Sequence, residues 1–228
     1  CIFTLPASVE VIVAKTKITS ADIVYVLDQM CSDLIVQKDT LRELDAQIGD
    51  GDLGITIELG CQALKNGLAD LLEADIGTIL ARSGMNFTKA ASSTFGILLG
   101  SFFMGAGRPV MKQKTIGLQD LVDIAESAEQ ALRNRGKAEV GDKTMLDALV
   151  PAVQVIKEAN DADKDMGEAL DAAVEAAEAG MKSTIPLKSK HGRVAWQGEK
   201  TIGVQDAGAT ATYLIIESCV RHLKSRFA

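Results

Sequence analysis

Three aspartates are crowded into residues 44–54, which read LDAQIGDGDLG. If this stretch folds tightly, the carboxylates of Asp45, Asp50 and Asp52 come within roughly 5 Å of one another, and each pair repels by about 3 kcal/mol at an effective dielectric constant near 20. Carboxylates and flexible glycines supply the hard oxygen ligands and the tight turns of Mg²⁺ and Ca²⁺ sites. The stretch therefore predicts a bound cation, with the three aspartates as its candidate ligands.

The spacing of these aspartates favours magnesium over calcium. A calcium-binding EF-hand loop needs further acidic or amide ligands at alternate positions, but Ile48 stands two residues before Asp50, and Leu53 follows Asp52. Mg²⁺ takes few protein ligands and shares a substrate phosphate, so it fits the pattern better. The alternative is a helical scaffold in which the aspartates only cap helices, as single aspartates often do.

A site for magnesium and phosphate also needs basic side chains to balance the charge. Arg193 and Lys143 are the candidates, because both lie in glycine-flanked segments, HGRVAW and GDKTM, from which a side chain can be directed at a phosphate. A solvated surface charge is the alternative for each of them.

Nothing in the sequence predicts an attacking nucleophile. His191 precedes Gly192 without a serine or cysteine beside it. His222 lies in the predicted C-terminal helix beside Arg221 and Lys224, where it is expected to be a surface residue or to complement the helix dipole. The chain contains neither a G-x-S-x-G motif nor a Walker A lysine loop. A residue that attacks substrate is therefore not predicted.

Apolar residues recur with helical spacing along most of the chain. The pattern predicts a helix with Thr19 or Ser20 as its N-cap, a second helix that begins after Gly54, and a short helix over residues 75–82. Further helices are predicted in GLQDLVDIAESAEQALRNRG, DKTMLDALVPAVQVIKEAN, DMGEALDAAVEAAEAGMKST and ATATYLIIESCVRHL. The small residues of NFTKAASSTFGILLGSFFMGAGR predict tight helix packing or a close ligand contact.

The composition favours one all-α domain of 228 residues, 47% of them hydrophobic, with few prolines. The net charge of −7 comes without a basic stripe, which argues against nucleic acid and anionic membrane as partners. Four widely spaced cysteines lack a C-x-x-C pair, so each is expected to be a small buried residue in a reduced, cytoplasmic protein. No run reaches the length of a membrane span.

Residues 185–208 interrupt the helical periodicity. Structureless segments of this length inside a compact domain are usually functional or disordered. This one contains the only tryptophan, Trp196, and leads directly into an apolar helix. It is therefore predicted to be ordered and to fold over a site.

Three segments carry a resemblance to a known family. LDAQIGDGDLG, RGKAEVGDKTMLDALVPA and GRVAWQGEKTIGVQDAGAT resemble, in order and separation, the nucleotide-binding L subunit of dihydroxyacetone kinases. The resemblance runs from about residue 19 to residue 228 and leaves residues 1–18 as an N-terminal extension. It implies a closed up-and-down barrel of eight antiparallel helices, with ATP or ADP and two Mg²⁺ ions held in loops at one end.

The resemblance also implies roles for individual residues. Asp45, Asp50 and Asp52 match the aspartates that hold the magnesium ions, and Arg193 matches the phosphate-contacting arginine. Arg193, Asp50 and Asp52 are thus the expected catalytic residues. The other implied nucleotide contacts are Leu53, Gly54, Ile55 and Thr56 at a helix start, Thr94 and Phe95 on the small-residue loop, Gly136 and Met145 around the adenine, and Asp206, Ala207 and Gly208 on the closing loop.

The chain departs from the family pattern near these contacts. The family has His and Asn where this chain has Leu53 and Thr56, a Gly-Gly-Ala-Ser-Gly loop where it has SSTFG, and Pro where it has Ala207. Thr56 keeps a hydroxyl, whereas Phe95 replaces a hydroxyl donor with a bulky ring. These changes are consistent with another short ketose as substrate or with weaker nucleotide binding.

The family also implies a partner, because its ketose is held covalently by a histidine of a separate K subunit that nothing in this chain resembles. The phosphate comes from exchangeable ATP, or from tightly held ADP that a phosphotransferase-system protein recharges. Both routes imply a phosphotransferase of the glycerone kinase type, in which Mg²⁺ and arginine stabilise charge. The alternative is a non-catalytic regulatory partner that binds nucleotide or metal, and a homodimer is also open.

Overall fold

The computed structural model describes residues 17–227, which are mostly helical. Within this range the α-helices are α1 (Ser20–Val36), α2 (Lys38–Ala46), α3 (Leu53–Leu68), α4 (Ile76–Ala90), α5 (Thr94–Gly107), α6 (Leu118–Gly136), α7 (Met145–Asp161), α8 (Met166–Ser183) and α9 (Ala207–Lys224). Short 3₁₀ helices span Ala69–Leu71, Arg108–Val110 and Arg193–Thr201, and the strands β1 (Ile18–Thr19) and β2 (Thr115–Ile116) pair antiparallel. The all-α prediction is confirmed, apart from this two-residue ladder.

The first helix begins with the capping chemistry that the sequence predicts. The Thr19 hydroxyl accepts a hydrogen bond from the Asp22 backbone N–H at 3.2 Å, and the Asp22 carboxylate accepts one from the Thr19 N–H at 2.9 Å. This reciprocal pair satisfies two N–H groups that have no partner within the helix. Thr19 is therefore confirmed as the N-cap of α1.

Helix α2 is an element that the periodicity missed. Its residues, KDTLRELDA, bury only Leu41, so no apolar stripe marks them as helical. Asp45 lies in the last turn of α2, and Asp50 and Asp52 lie in the turn that follows. The prediction of one aspartate loop over residues 44–54 is therefore wrong for Asp45.

Helices α4 and α5 confirm the prediction of tight packing between small residues. A Cβ added to Gly84 would lie 2.5 Å from the Gly100 carbonyl oxygen, and one added to Gly100 would lie 2.8 Å from the Gly84 carbonyl oxygen. The backbones thus approach more closely than larger residues would allow. Helix α4 continues to Ala90, beyond the short helix predicted for residues 75–82, because Ser83 and Phe87 extend its buried face.

The long helices pack in a closed circuit around a main apolar core. Helix α1 contacts α3, each helix from α3 to α8 contacts the next, and α9 returns to contact α1. Helix α2 lies against α3 and α9. This circuit supports the closed up-and-down barrel, which stays a prediction. Within residues 17–227, none of the helices has the length and hydropathy that crossing a membrane requires.

Three of the four cysteines lie in this part of the chain and are free thiols there. Cys31 and Cys61 are fully buried as predicted, and Cys219 is partly buried. Cys1 lies outside the described residues.

Asp33 fastens the contact between α1 and α9 that closes the circuit. Its Oδ2 accepts hydrogen bonds from Ser218 Oγ at 2.5 Å, His222 Nε2 at 2.8 Å and Arg221 Nη2 at 2.9 Å. Burial of the carboxyl opposes ionisation, but the hydrogen bonds from Ser218 and His222 and the Arg221 charge outweigh it and lower the pKa of Asp33. The His222 side chain is 15% exposed and lies in the last turn of α9, so of its two predicted roles the structure favours the one that complements the helix dipole over a surface position.

Replacing Asp33 with alanine is expected to lower the free energy of unfolding by about 1.5–3 kcal/mol, because hydrogen bonds to a charged group are lost. Since folding lowers the pKa of Asp33, this contribution is present at neutral pH and is lost as the pH falls through the folded value. Denaturant titration measures the change. The control is Asp171→Ala, which removes an exposed pair with Lys224 and should cost less than about 1 kcal/mol. Similar small changes in both variants would contradict the expected role.

Candidate functional site

Asp45, Asp50 and Asp52 converge at the start of α3. One carboxylate oxygen from each lies within 4.8 Å of those of the other two. The turn is tight, because the Gly49 N–H donates to the Asp45 carbonyl oxygen at 2.6 Å and Gly51 has a φ of +71°. A Cβ at Gly49 would lie 2.3 Å from Asp45 Oδ1, so only glycine fits there without a shift. The structure brings the three carboxylates together, and their role as metal ligands stays a prediction.

Arg193 reaches this cluster from the distant 3₁₀ helix. Its Nη2 donates a hydrogen bond to Asp52 Oδ2 at 2.8 Å, and its Nη1 donates one to Asp50 Oδ2. Burial raises the pKa of Asp52, and the charge of Asp45 adds to that shift. Because negative charge is crowded and partly buried here, a cationic group beside the carboxylates is favourable. A set of carboxylate oxygens is chemically suited to Mg²⁺.

A cavity of about 450 Å³ opens beside the aspartates. Its volume lies in the range of small-molecule and cofactor pockets. Most of the predicted nucleotide contacts line this cavity with the three aspartates: Leu53, Thr94, Phe95, Gly136, Met145, Arg193, Asp206, Ala207 and Gly208.

Gly54, Ile55 and Thr56 are the predicted contacts that do not line the cavity. Gly54 lets α3 pack on α2, since a Cβ there would lie 2.3 Å from the Lys38 carbonyl oxygen. Ile55 is 56% exposed. Thr56 is buried, and its hydroxyl donates to Ser93 Oγ, the N-cap oxygen of α5, at 2.9 Å. Thr56 thus ties the starts of two helices together, and phosphate contact by these three residues stays a prediction.

Four helices begin at the cavity wall. Leu53, Thr94, Met145 and Ala207 are the first residues of α3, α5, α7 and α9, and all four line the cavity. Free N–H groups and the helix dipole make such N-termini favourable places for anions. The cavity thus combines anion-attracting helix ends with a cation-attracting aspartate cluster, an arrangement suited to a phosphate ester and its counter-ion.

Asp206 is the N-cap of α9, and its Oδ2 accepts a hydrogen bond from the Ala209 N–H at 2.7 Å. Burial of the carboxyl, together with the charges of Asp147 and Asp45, raises its pKa to about 7. The Ala209 hydrogen bond and the Lys143 charge act in the opposite direction. Near neutral pH, this carboxyl group is therefore about half protonated.

The stability of the metal-free protein is expected to fall as the pH rises toward 8. Folding raises the pKa of Asp206 from 3.8 to about 7, so the folded chain retains a proton that the unfolded chain has released. This group alone should lower the free energy of unfolding by roughly 2–3 kcal/mol between pH 5 and pH 8. Denaturant titrations at both pH values measure the change. In Asp206→Asn, which keeps the capping oxygen, that part of the pH dependence should disappear, and an unaltered difference would exclude Asp206 as its source.

Lys143 fastens the loop of residues 184–206 to the cavity wall. Its buried ammonium donates hydrogen bonds to the carbonyl oxygens of Leu187 at 3.0 Å, Thr201 at 2.5 Å and Val204 at 2.5 Å. Burial lowers the pKa of this ammonium. Lys143 is therefore neither a solvated charge nor directed at a phosphate, and its predicted role is corrected to that of a loop anchor.

Asp142 holds the same loop through its side chain, a role that no local sequence pattern predicted. The carboxylate accepts hydrogen bonds from Lys190 Nζ at 2.7 Å, the Glu139 N–H at 2.8 Å and His191 Nε2 at 3.0 Å. The Lys190 hydrogen bond, with those from Glu139 and His191, lowers the pKa of Asp142 to about 2. His191 is thus engaged as a structural partner. The available sequence signal was an aspartate followed by a lysine in a glycine-flanked turn. The loop residues that these two side chains bind lie more than 40 residues further along the chain.

Replacing Lys143 with methionine is expected to loosen the loop of residues 184–206 and to lower the free energy of unfolding by roughly 2–4 kcal/mol, because three carbonyl groups lose their donor. Hydrogen exchange of the backbone amides in this loop should accelerate at least tenfold, as local opening becomes easier. Lys200→Met, an exposed change in the same loop, is the matched control. Equal exchange rates in the two variants would show that the ammonium does not hold the loop.

The fold and the site together define a class of protein. It is an all-α domain in which helix N-termini and an aspartate cluster face one cavity. Residues 47–221 match the family described as the DAK2 domain. The chain belongs to this family.

Relatives extend the match over most of the chain. The chain is 37% identical over 202 residues to the ADP-binding subunit DhaL of PEP-dependent dihydroxyacetone kinase 2 from Listeria innocua, covering 88% of this chain and 93% of that protein. It is 32% identical over 188 residues to the ADP-binding subunit DhaL of the PEP-dependent dihydroxyacetone kinase of Escherichia coli, covering 82% and 90% of the two chains. The resemblance to dihydroxyacetone kinase L subunits is therefore confirmed.

A solved structure shows the same fold. The dihydroxyacetone kinase of C. freundii, in complex with AMP-PNP and Mg²⁺, aligns with a TM-score of 0.68 and 24% identity. The alignment covers 97% of this chain and 37% of that longer one.

Proposed function

We propose that this chain is the nucleotide- and magnesium-binding subunit of a kinase for dihydroxyacetone or a related short ketose. The observation that carries the proposal is the cavity itself, in which four helix N-termini face an aspartate cluster paired with Arg193. The two DhaL relatives support it, since both are ADP-binding subunits of dihydroxyacetone kinases.

Each part of the cavity has a role in this function. Asp45, Asp50 and Asp52 would hold two Mg²⁺ ions, which supply charge neutralisation and orientation of the phosphates when bound. The N–H groups at the starts of α3 and α5 would bind phosphate oxygens. Arg193 would stabilise the charge of the transferring phosphoryl group, and Gly136 would frame the base.

The closed up-and-down barrel is the architecture that we propose for this subunit. The helix contacts run in one circuit, and every second helix from α3 to α9 begins at the cavity. This alternation is what antiparallel neighbours would produce, since each intervening helix then begins at the opposite end.

The acceptor ketose is expected on a separate K subunit. The sequence has two histidines, His191 and His222, and both are hydrogen bonded to aspartates, Asp142 and Asp33. Each imidazole is thus already engaged by a carboxylate. The chain therefore supplies the phosphoryl donor site, and the partner supplies the acceptor.

Of the two phosphate sources, we favour tightly held ADP that a phosphotransferase-system protein recharges. The names of both DhaL relatives, PEP-dependent and ADP-binding, support this choice over exchangeable ATP.

The test is a calorimetric titration of the metal-stripped protein with ADP and with ATP, each with and without Mg²⁺, after a check for nucleotide retained through purification. Magnesium-dependent, tight ADP binding is the expected result. Freely exchanging ATP would favour the direct ATP route. No nucleotide binding at all would overturn the proposal and favour a non-catalytic regulatory subunit, because Leu53 and Phe95 stand where the family pattern has polar groups.

A further inference from the structure

Four basic residues of the described chain line the cavity, and one of them is not engaged by the protein. Lys143, His191 and Arg193 are each held by hydrogen bonds to protein oxygens. Arg135 is exposed, and it makes neither a hydrogen bond nor an ion pair with any of residues 17–227. A ligand in the cavity can therefore engage this guanidinium without breaking an existing contact.

Arg135 lies in the last turn of α6, beside the start of α5. A Cβ added to Gly105, near the end of α5, would lie 2.6 Å from Ala131 Cβ. One added to Gly136 would lie 3.5 Å from Leu98 Cδ2, in the first half of α5. Helices α5 and α6 therefore run antiparallel, and the end of α6 brings Arg135 to the start of α5.

The start of α5 also connects Arg135 to the aspartate cluster. The Leu53 N–H, at the start of α3, donates a hydrogen bond to Asp45 Oδ2 at 3.3 Å. Thr56, in the same turn, donates one to Ser93, the N-cap of α5, at 2.9 Å. The aspartates, the start of α3, the start of α5 and the end of α6 thus follow one another through direct contacts along the cavity wall.

The wall beside Arg135 is apolar, unlike the wall at the aspartates. Leu132, one turn earlier on α6, and Leu98 of α5 both line the cavity. Phosphate oxygens gain nothing from such side chains, whereas an aromatic base is stabilised when its ring is buried against them. A guanidinium is planar and weakly hydrated, so it stacks well on the face of an aromatic ring. This part of the cavity therefore suits the base of a nucleotide.

We propose that Arg135 binds the base of the nucleotide by stacking its guanidinium on the ring; this inference rests on the proposed function. The contact favours purines over pyrimidines, because the larger ring system offers more surface to the guanidinium and to Leu98 and Leu132. Arg135 is thus a specificity-determining residue at the base, and it takes no part in binding the phosphates or the metal ions.

The test is calorimetry in the presence of Mg²⁺ on wild type, Arg135→Met and Arg135→Lys, with ADP and with pyrophosphate as ligands. Pyrophosphate carries the two phosphates of ADP without the ribose and the base, and its affinity is obtained by competition with ADP. The Kd of ADP should rise at least about fivefold in Arg135→Met, whereas the Kd of pyrophosphate should change less than about twofold. Arg135→Lys keeps the charge without the planar group, so its loss of ADP affinity should be nearly as large.

The matched control is Lys137→Met, which removes an exposed charge two residues further along that does not line the cavity. Both Kd values should stay within about twofold of wild type in this variant. CDP gives a second comparison, because its pyrimidine ring is smaller. The preference of wild type for ADP over CDP should shrink at least about threefold in Arg135→Met. Since the Arg135 side chain is exposed, neither of its substitutions is expected to impair folding.

Equal losses of ADP and pyrophosphate affinity in Arg135→Met would overturn the stacking contact and assign the arginine to the phosphates. Unchanged affinities for both ligands would show that Arg135 is only a surface charge that complements the C-terminal end of α6. Either result leaves the proposed function intact, because wild type still binds ADP. Absence of ADP binding by wild type would overturn both proposals.

Discussion

Replacing Asp52 with asparagine is expected to lower magnesium-dependent turnover with the K subunit by at least about 10²-fold, equivalent to roughly 3 kcal/mol in the activation free energy. Asp52 supplies one of three carboxylate oxygens that lie within 4.8 Å of one another. The neutral amide keeps the size of the side chain but removes a full negative charge beside the proposed Mg²⁺ ions. Calorimetry should show weaker ADP binding in the presence of Mg²⁺ and little change in its absence.

The stability of this variant separates metal binding from folding. In the metal-free protein, burial and the charge of Asp45 raise the pKa of Asp52, so removing its charge relieves repulsion and no large loss of stability is expected. The matched control is Asp39→Asn, an exposed carboxylate of the adjacent helix α2 that pairs only with Arg42 among the ion pairs of residues 17–227. It should keep turnover within about twofold. Wild-type turnover in Asp52→Asn would exclude this aspartate from the proposed site.

The aspartate cluster could be predicted from sequence because its members are neighbours along the chain. Asp50 and Asp52 are two residues apart, and Gly49 before them and Gly51 between them indicate a turn. The helical face of α1 and its capping box were equally visible, since both are local patterns. Local patterns do not identify the distant residue that each side chain contacts, and most of the wrong predictions concern such contacts.

Lys143 illustrates this limit. A lysine in a glycine-flanked turn could reach a phosphate, reach solvent or fasten another loop, and the choice depends on Thr201 and Val204, which are 58 and 61 residues further along. The same holds for β1 and β2, whose two residues each carry no strand signal, although Ile18 pairs with Ile116. Helix α2 was missed for the opposite reason, because it lies on the outside of the helix circuit and buries too little to show periodicity.

The convergence of four helix N-termini also required the fold. Each N-cap can be recognised alone, as Ser93 and Asp206 can, but only the antiparallel succession of helices would bring alternate ones to a single cavity. This arrangement explains how the chain could bind phosphates without a phosphate-binding loop motif. It also explains how the chain could bind phosphate although Leu53 stands where the family pattern has a polar side chain, since backbone N–H groups do not depend on side-chain identity.

Replacing Arg193 with alanine is expected to lower turnover at saturating K subunit and nucleotide by about 10³-fold, the lower end of the effect of an arginine that stabilises phosphoryl transfer. Arg193 binds Asp50 and Asp52 through its two terminal nitrogens, so the guanidinium lies beside the proposed magnesium ligands, within reach of a phosphate bound there. ADP affinity should fall much less, because the helix N-termini and the metal ions would carry most of the binding. Single-turnover kinetics and calorimetry measure the two effects separately.

The same pairing gives Arg193→Ala a second signature that a purely structural role would not produce. Arg193 and a cation bound at the proposed site would compete for the same carboxylate oxygens, so removing the arginine should strengthen Mg²⁺ binding in the absence of nucleotide while it weakens catalysis. Arg193→Lys keeps the charge without the two-pronged geometry and should fall between wild type and Arg193→Ala in turnover. Arg42→Ala, another exposed arginine that pairs with an aspartate, should change neither quantity. Equal losses of ADP binding and turnover in Arg193→Ala would instead assign the arginine to ground-state binding, and the charge-stabilising role would have to be abandoned.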